Sequence, residues 1–399
     1  MMPCVVLALG LIFRLPFGRA FRAGLTVGFG FVGIGLIINL IFGNMGPVME
    51  SLIRDTGLRL AALEVGWPAA AAVAFGTRVG ALIFAVGILT NLAMVLLRLT
   101  RTLNVDIWNY WHWSLSGSLV MVVTGSLWFG LLAAVAHAVF TLKMADYTAP
   151  RIQAFFGTPG ITISQGFAMA NMPIIMPVVW LVDRIPGIDR ISADPVAIQK
   201  RLGFLGQPAV LATGLTVIAG LVARQPAGTA LRLGVAMGAV FLLLPRVVAI
   251  LMEGMTPFAE AAGEFMRKRA GDRPVHIGMD CAIGVGHPTN MAAALLMVPI
   301  SLLLAAILPG NRLLPFGDLA GTAYFSVMIT PWTRGNLVKT MIVGIVLKAT
   351  VMYMGSDWAP LFTRAADAAG FPLPEGAALV TVFGNPFAWV CVRLTQLFF

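Results

Sequence analysis

Long apolar runs dominate the chain, and polar residues gather in short stretches between or inside them. Ala23–Phe42, Val79–Leu97, Ser114–Phe140, Leu231–Met252 and Met291–Leu308 are such runs. Each is close to the roughly 20 apolar residues that a helix needs to cross a bilayer. The pattern predicts an all-α, polytopic inner-membrane protein with roughly ten to eleven transmembrane helices. The short alternating segments of a β-barrel are not seen. Four stretches are too short or too interrupted to be plain spans. They are GWPAAAAVAFGT (66–77), GITISQGFAMANMPIIMP (160–177), GMDCAIGVGHPTN (278–290) and the last apolar run, which Gly384, Asn385 and Pro386 punctuate. Discontinuous or re-entrant helices are expected there, because unwound backbone is tolerated at membrane depth only where it is buried in protein or lines a cavity.

The pattern also repeats. FRAGLTVGFG (21–30) lies over LRLGVAMGAV (231–240), placing Arg22, Gly24 and Gly28 on Arg232, Gly234 and Gly238. MGPVME (45–50) lies over MTPFAE (255–260) in the same register. With two residues inserted, VGWPAAAAVAFGTR (65–78) meets IGMDCAIGVGHPTN (277–290), and Asp106 meets Asp318. The division read from this is a first repeat over 21–207, a linking helix within 208–230 and a second repeat over 231–399. Arg14, Arg19 and Arg22 precede the first span. Loop 43–65 holds only Arg54 and Arg59, whereas loop 253–276 holds Arg267, Lys268, Arg269 and Arg273. The positive-inside bias puts loops 183–207 and 253–276 inside and loop 43–65 outside. Equivalent loops then lie on opposite faces, which is an inverted repeat.

Composition agrees. The 399 residues are 59% hydrophobic and 11% charged, against about 25% charge in soluble domains. The net charge of +10 sits in loops and does not mark a nucleic-acid surface. Cys4, Cys281 and Cys391 are far apart with no CxxC pair, so neither a disulfide framework nor a metal site is indicated, and no cofactor is expected. GFGFVG (28–33) fits a dinucleotide fingerprint but lacks the preceding strand and closing acid; close helix packing explains it better. No P-loop is present.

Polar residues inside the membrane are the candidates for chemistry. Asp318, in LPFGDLA, is read as a substrate contact or as a helix cap. Its repeat mate Asp106 has the same two readings, with Arg101 as a possible ion partner. Asn109 and His112 lie three apart and share a helix face. Trp108, Tyr110, Trp111 and Trp113 around them suit either a pocket wall or an interfacial belt. Gln165 can donate and accept hydrogen bonds, as a hydroxylated ligand does. His287 and Thr289 stand at a proline break, and Asn385 stands between two helix breakers. His137, in a long apolar run, is read as a packing or interface residue.

NVDIWNYWH, VGWP, PGIDRI (186–191), LPRV (244–247), GMTPFAE and LPGNRLLPFGDLA, in that order, resemble the galactitol-type IIC permeases of the bacterial phosphoenolpyruvate-dependent sugar phosphotransferase system, which are grouped with ascorbate permeases. The resemblance implies a homodimer in the membrane lipid, with a scaffold domain and a mobile core domain each built from both halves. It implies inward movement of a sugar alcohol, a galactitol-like hexitol or a pentitol, by an elevator-type motion. A separate cytoplasmic IIB protein would phosphorylate the sugar from a phosphocysteine, supplied by IIA, HPr and enzyme I; the chain itself would be a transport subunit and not an enzyme. Asp318 and Gln165 match polar residues around the ligand in ascorbate permeases, and His112 and His287 are carried over with them. The basic inside loops, Arg267–Arg269 among them, suit docking of IIB. The alternative is an ion-coupled or facilitative polyol transporter that releases unmodified substrate, with Asp106 and Asp318 as proton or cation carriers.

Overall fold

The structure is a computed structural model that describes residues 2–56, 62–64, 66–191, 193, 195–196, 207–270, 275–315, 321–371, 378–380 and 384–399. Asp318 lies outside the described residues. From the N-terminus the elements are α1 (Met2–Ile12), α2 (Phe17–Thr56), β1 (Ala62–Glu64), α3 (Trp67–Gly76), α4 (Arg78–Leu96), β2 (Thr102–Asn104), a 3-10 turn (Ile107–Asn109), α5 (Tyr110–Thr124), α6 (Leu127–Phe156), β3 (Ile161–Ile163), α7 (Gly166–Val182) and a second 3-10 turn (Ile188–Arg190). Then come α8 (Pro208–Val222), α9 (Ala227–Ala270), β4 (His276–Met279), α10 (Ala282–Val285), α11 (Pro288–Ile307), β5 (Leu313–Leu314), α12 (Thr322–Val327), α13 (Leu337–Ala368), β6 (Ala378–Val380) and α14 (Pro386–Gln396). Among the described residues, six helices are long and apolar enough to cross a membrane: parts of α2, α4, α6, α9, α11 and α13. Shorter apolar helices, α3, α7 and α8 among them, fill the space between. The protein is therefore a mostly helical, polytopic membrane protein.

Apart from the two 3-10 turns, the second list repeats the helices and strands of the first in order. The correspondence extends to the turns. Left-handed residues end equivalent helices: Arg14 and Arg224 after α1 and α8, Gly125 and Gly335 after α5 and before α13, Gly157 and Gly370 after α6 and α13. Pro150 inside α6 has its mate in Pro360 inside α13. The small residues shared by the two halves have a packing reason. A Cβ on Gly24 would come within 2.7 Å of the Pro3 carbonyl of α1, and one on Gly234 within 2.8 Å of the Thr213 carbonyl of α8. Both helix pairs approach through missing side chains, as small-residue packing in membranes allows. Gly30 and Gly33 likewise meet Leu251 and Val247 of α9, so GFGFVG is a packing stripe.

Helical periodicity alone did not announce the strands. They form two parallel three-stranded sheets, ordered β5-β1-β6 and β2-β4-β3. In each, the first strand of one half lies between the second and third strands of the other. Ala62 pairs with Leu313 and Ala378; Ile277 pairs with Leu103 and Ile161. The physical cause is the cost of unpaired backbone in a dry interior. Where a span breaks, its N–H and C=O groups must find partners, and the broken spans of the opposite half supply them. Side chains anchor the entries: Asp146 of α6 accepts from Thr100 Oγ1, from Arg101 N–H and from Thr102 Oγ1, and Ser356, at the equivalent place in α13, accepts from Arg312 N–H at 3.0 Å. The helices that leave the breaks are capped. Thr77 caps α4 through Gly80 N–H, Asn336 caps α13 through Lys339 N–H, and Asn385 caps α14 through Ala388 N–H.

Candidate functional site

The β2-β4-β3 sheet ends in a cavity. Two residues beyond β2 stands Asp106, two beyond β3 stands Gln165, and one beyond β4 stands Asp280. All three line a cavity of about 230 Å³ with Trp67, Trp108, Trp111, His112, Met252, Ala282 and Tyr324. That volume is roughly eight waters' worth. Parallel strands place their C-terminal ends side by side, so residues distant in sequence converge with little freedom.

The polar groups are cross-braced. Gln165 Nε2 donates to Asp280 Oδ2 at 3.0 Å, and Gln165 Oε1 accepts from Cys281 Sγ at 2.9 Å. Asp280 Oδ1 accepts from Ala282 N–H at 2.8 Å. Asp106 caps the turn after β2 by accepting from Trp108 N–H at 3.2 Å. The 3-10 turn beyond it carries Trp108 into the wall, edge-on to Trp67 at 6.2 Å and to Phe75 at 5.7 Å between ring centroids. His112 packs on Trp111 at 3.7 Å, and its Nε2 is buried with no partner among the described residues. A Cβ on Gly166 would stand 2.5 Å from His112 Cβ, so α7 can start here only on glycine. Among the described residues the lining holds two carboxyl groups, one imidazole and an amide, and no lysine or arginine.

Of the residues singled out in the sequence, Asp106, His112 and Gln165 come together. Asn109 is fully buried beside them with neither amide atom partnered among the described residues, and it is not in the lining. His287 and Thr289 lie elsewhere. The His287 ring sits against Phe155 and Phe156, its Nδ1 accepts from Thr289 N–H at 3.3 Å, and Thr289 Oγ1 donates to the Gly335 carbonyl. Asn385 is a helix cap whose Nδ2 lies 3.4 Å from His137 Nε2. Among the described ion pairs Asp106 and Arg101 are not joined, so the possible pairing is not seen; Arg101 bonds Asp146 through its backbone. Nor are the tryptophans an interfacial belt. Trp108, Tyr110, Trp111 and Trp113 are each at most 6% exposed, because the segment turns inward at the β2 end. His137 does pack, as read, bonding Ser116 Oγ at 2.7 Å.

Asp280, Cys281, Trp67 and Tyr324 were missed. Asp280 carried a usable signal, an acid inside a repeat-related broken span. Trp67 stood in the quoted VGWP. Nothing local marked Cys281 or Tyr324.

A carboxyl-bearing cavity enclosed by broken spans of a duplicated helical chain defines a membrane permease for a small polar solute. The chain belongs to the EIIC-GAT family, the sugar-specific permease component of the PTS system, which it matches over residues 1–376. It is 39% identical over 397 residues to an Escherichia coli K12 protein named "Putative permease IIC component", covering 99% of this chain and 91% of that one. It is 34% identical over 396 residues to the "PTS system galactitol-specific EIIC component" of the same strain, covering 99% and 88%. The protein is thus a sugar-transport component of the phosphotransferase system in the inner membrane. Family membership implies work with IIB, IIA, HPr and enzyme I, which carry the phosphoryl chemistry.

Proposed function

We propose that the chain carries a neutral sugar alcohol, a galactitol-like hexitol or a pentitol, inward through the cavity at the β2-β4-β3 strand ends and presents it to a separate IIB protein whose phosphocysteine phosphorylates it. The observation that supports this is the lining itself. Asp106, Asp280, Gln165 and His112 can accept or donate hydrogen bonds to several hydroxyls at once, and Trp67, Trp108 and Trp111 offer apolar faces to a carbon chain. Two carboxyl groups, with no arginine or lysine among the described lining residues, offer an anionic sugar acid no countercharge. A galactitol-specific relative fits that choice.

The cavity includes Met252 of the long helix α9 together with residues of the shorter, broken elements. This suits a seam between a scaffold of α1, α2, α8 and α9 and a moving core of the other helices, hence an elevator-type step, in a homodimer. The repeat is better divided at Pro208 than at 231. α8 packs on α9 as α1 packs on α2, so the second half begins with α8 and no separate linking helix is needed. The half-repeats cross in opposite senses, as the loop charges suggest. His287, Thr289 and Asn385 act as supports of the broken backbone in this scheme, while Asn109 and Asp318 are kept as candidate substrate contacts.

Calorimetric titration of the purified protein with galactitol, a pentitol and ascorbate tests the reading. Binding of a polyol with no binding of ascorbate is expected; preferential ascorbate binding would overturn it. The pair Asp106 and Asp280 also favours a second reading, ion-coupled release of unmodified substrate. Uptake into proteoliposomes driven by a pH gradient without IIB would establish that one instead.

A further inference from the structure

We propose that the crevice between the α1–α2 turn and the end of α9 binds an anionic phospholipid of the cytoplasmic leaflet, its phosphate held among Arg14, Arg19, Lys268 and Arg269. These four cations line a crevice of about 740 Å³ with Glu264 and the apolar Ile12, Phe13, Leu15, Pro16, Ala261 and Phe265. Glu264 is already engaged by Lys268 at 2.6 Å, and the Arg269 guanidinium lies 3.6 Å over the Phe265 ring. Four cations against one occupied carboxylate leave an anion-selective opening.

Two independent features select a lipid over other anions. First, the location is right. The crevice joins the ends of two membrane-length helices, α2 and α9, and the loop charges assign both Arg14–Arg22 and Arg267–Arg269 to the cytoplasm, hence to the level of the inner headgroups. Second, an apolar rail starts at the crevice. Phe17, Phe21, Leu25, Phe29, Val32 and Leu36 are all exposed along one face of α2, and the first two rings stack at 5.8 Å. A free phosphate ion would use the cations and not the rail. So would the acidic face of a protein. A two-chain phospholipid uses both: its phosphate among the cations and its acyl chains along the rail.

This changes the reading of the basic cluster at the end of α9. Lys268 and Arg269 turn toward the α1–α2 turn, whereas Arg267, also exposed, is not in the lining. Docking of IIB is left to Arg267 and to the loop after α7, and the lipid site does not depend on the substrate assigned to the cavity.

The test is a binding titration by native mass spectrometry on the intact purified protein, using phosphatidylglycerol, phosphatidylcholine with the same chains, and soluble glycerol phosphate. Phosphatidylglycerol should bind in preference to phosphatidylcholine and raise the unfolding midpoint, while glycerol phosphate alone should do neither. Arg14→Gln with Arg269→Gln should weaken phosphatidylglycerol about 25-fold and leave polyol affinity unchanged, at roughly fivefold per cation removed near the surface. If that double variant does not fold, Arg19→Gln alone carries the prediction at about fivefold. Stabilisation by glycerol phosphate equal to that by the lipid would reduce the crevice to a phosphate site. Unaltered lipid preference in the variants, with lost coupling to IIB, would make it a protein-docking surface. Either result overturns the proposal.

Discussion

The two small sheets are built alike and used differently. Each places one strand of its own half between two strands of the other, and each is followed by capped helices. At the β2-β4-β3 ends, Gln165 precedes α7 and faces a cavity, braced by Asp280 and Cys281. At the corresponding place before α14, Asn385 spends its Oδ1 on Ala388 N–H and turns its Nδ2 to His137. β1 ends in Glu64, which is buried and accepts from Gly66 N–H at 2.6 Å. Duplication thus supplied two sites for breaking spans. In one the freed polar groups line a cavity; in the other the described groups turn to the backbone and to His137. His137 stands between them, 3.4 Å from the Gly166 carbonyl and 3.4 Å from Asn385 Nδ2.

The largest break of this contrast should come from Asp280→Asn. The substitution removes a charged acceptor that both orients Gln165 and faces the cavity. Hydrogen bonds to charged groups contribute about 1.5–3 kcal/mol, so polyol affinity should fall roughly 10- to 100-fold by calorimetry, with the unfolding midpoint nearly unchanged. Undiminished binding would remove the β4 end from the site.

Next are the repeat mates Asp106 and Asp318. Asp106→Asn keeps an oxygen to cap Trp108 N–H, so its effect should fall on ligand and not on fold, at about tenfold in affinity. Asp318→Asn should also lower polyol affinity and leave the dimer assembled. Loss in Asp318→Asn greater than in Asp280→Asn would move the centre of recognition to the β5 side and invert the comparison.

A smaller, paired effect separates the two caps directly. Gln165→Leu should weaken polyol binding by up to about tenfold, the scale of one neutral hydrogen bond. Asn385→Leu should instead cost about 1 kcal/mol of stability, as lost N-caps do, with binding within about twofold. Equal losses of binding in both would mean that the two strand-end regions are not specialised.

Much of this was legible along the chain, for reasons that can be named. Spans follow from apolar length, and the duplication follows from Gly24, Gly28, Gly234 and Gly238, which are held in register by packing against α1 and α8. The broken segments were visible through Gly160, Pro173, Pro288 and Pro386. What was hidden is contact across halves. Two- to four-residue strands carry too few side chains for an alternation to register, and their pairing joins positions such as Asn104 and Gly278. Asp280 was therefore readable as an acid in a broken span, yet its nearness to Asp106 and Gln165 was not. The tryptophans misled because an indole suits a membrane surface and a pocket wall equally well; only the inward turn after β2 decides.

The smallest expected effect concerns a tie between the two halves that together line the cavity. Lys339, at the start of α13, keeps only 6% of its side chain exposed and meets Asp183 at 2.6 Å and Asp189 at 2.5 Å. Asn336 adds a bond from its Nδ2 to the Ile191 carbonyl. The loop after α7 is thereby pinned to the second half. The Lys339 ammonium, bonded to Asp189, holds that carboxyl below the usual carboxylate range. A depressed folded-state value fixes the sign: the contribution is complete above the unfolded value, about 4, and is lost as pH falls through the lower folded value. Hydrogen exchange of residues 183–191 should therefore be independent of this carboxyl between pH 5 and 8, about the range of ordinary assays. Asp189→Asn should raise exchange modestly there, because the carboxylate is 76% exposed and screened by water, while Asp183 still holds the lysine. As pH falls through the depressed folded value the two proteins should converge. A difference that persists into acid would mean that Asp189 holds the loop by something other than its charge, and would shift the tie between the halves to Asp183 and Asn336.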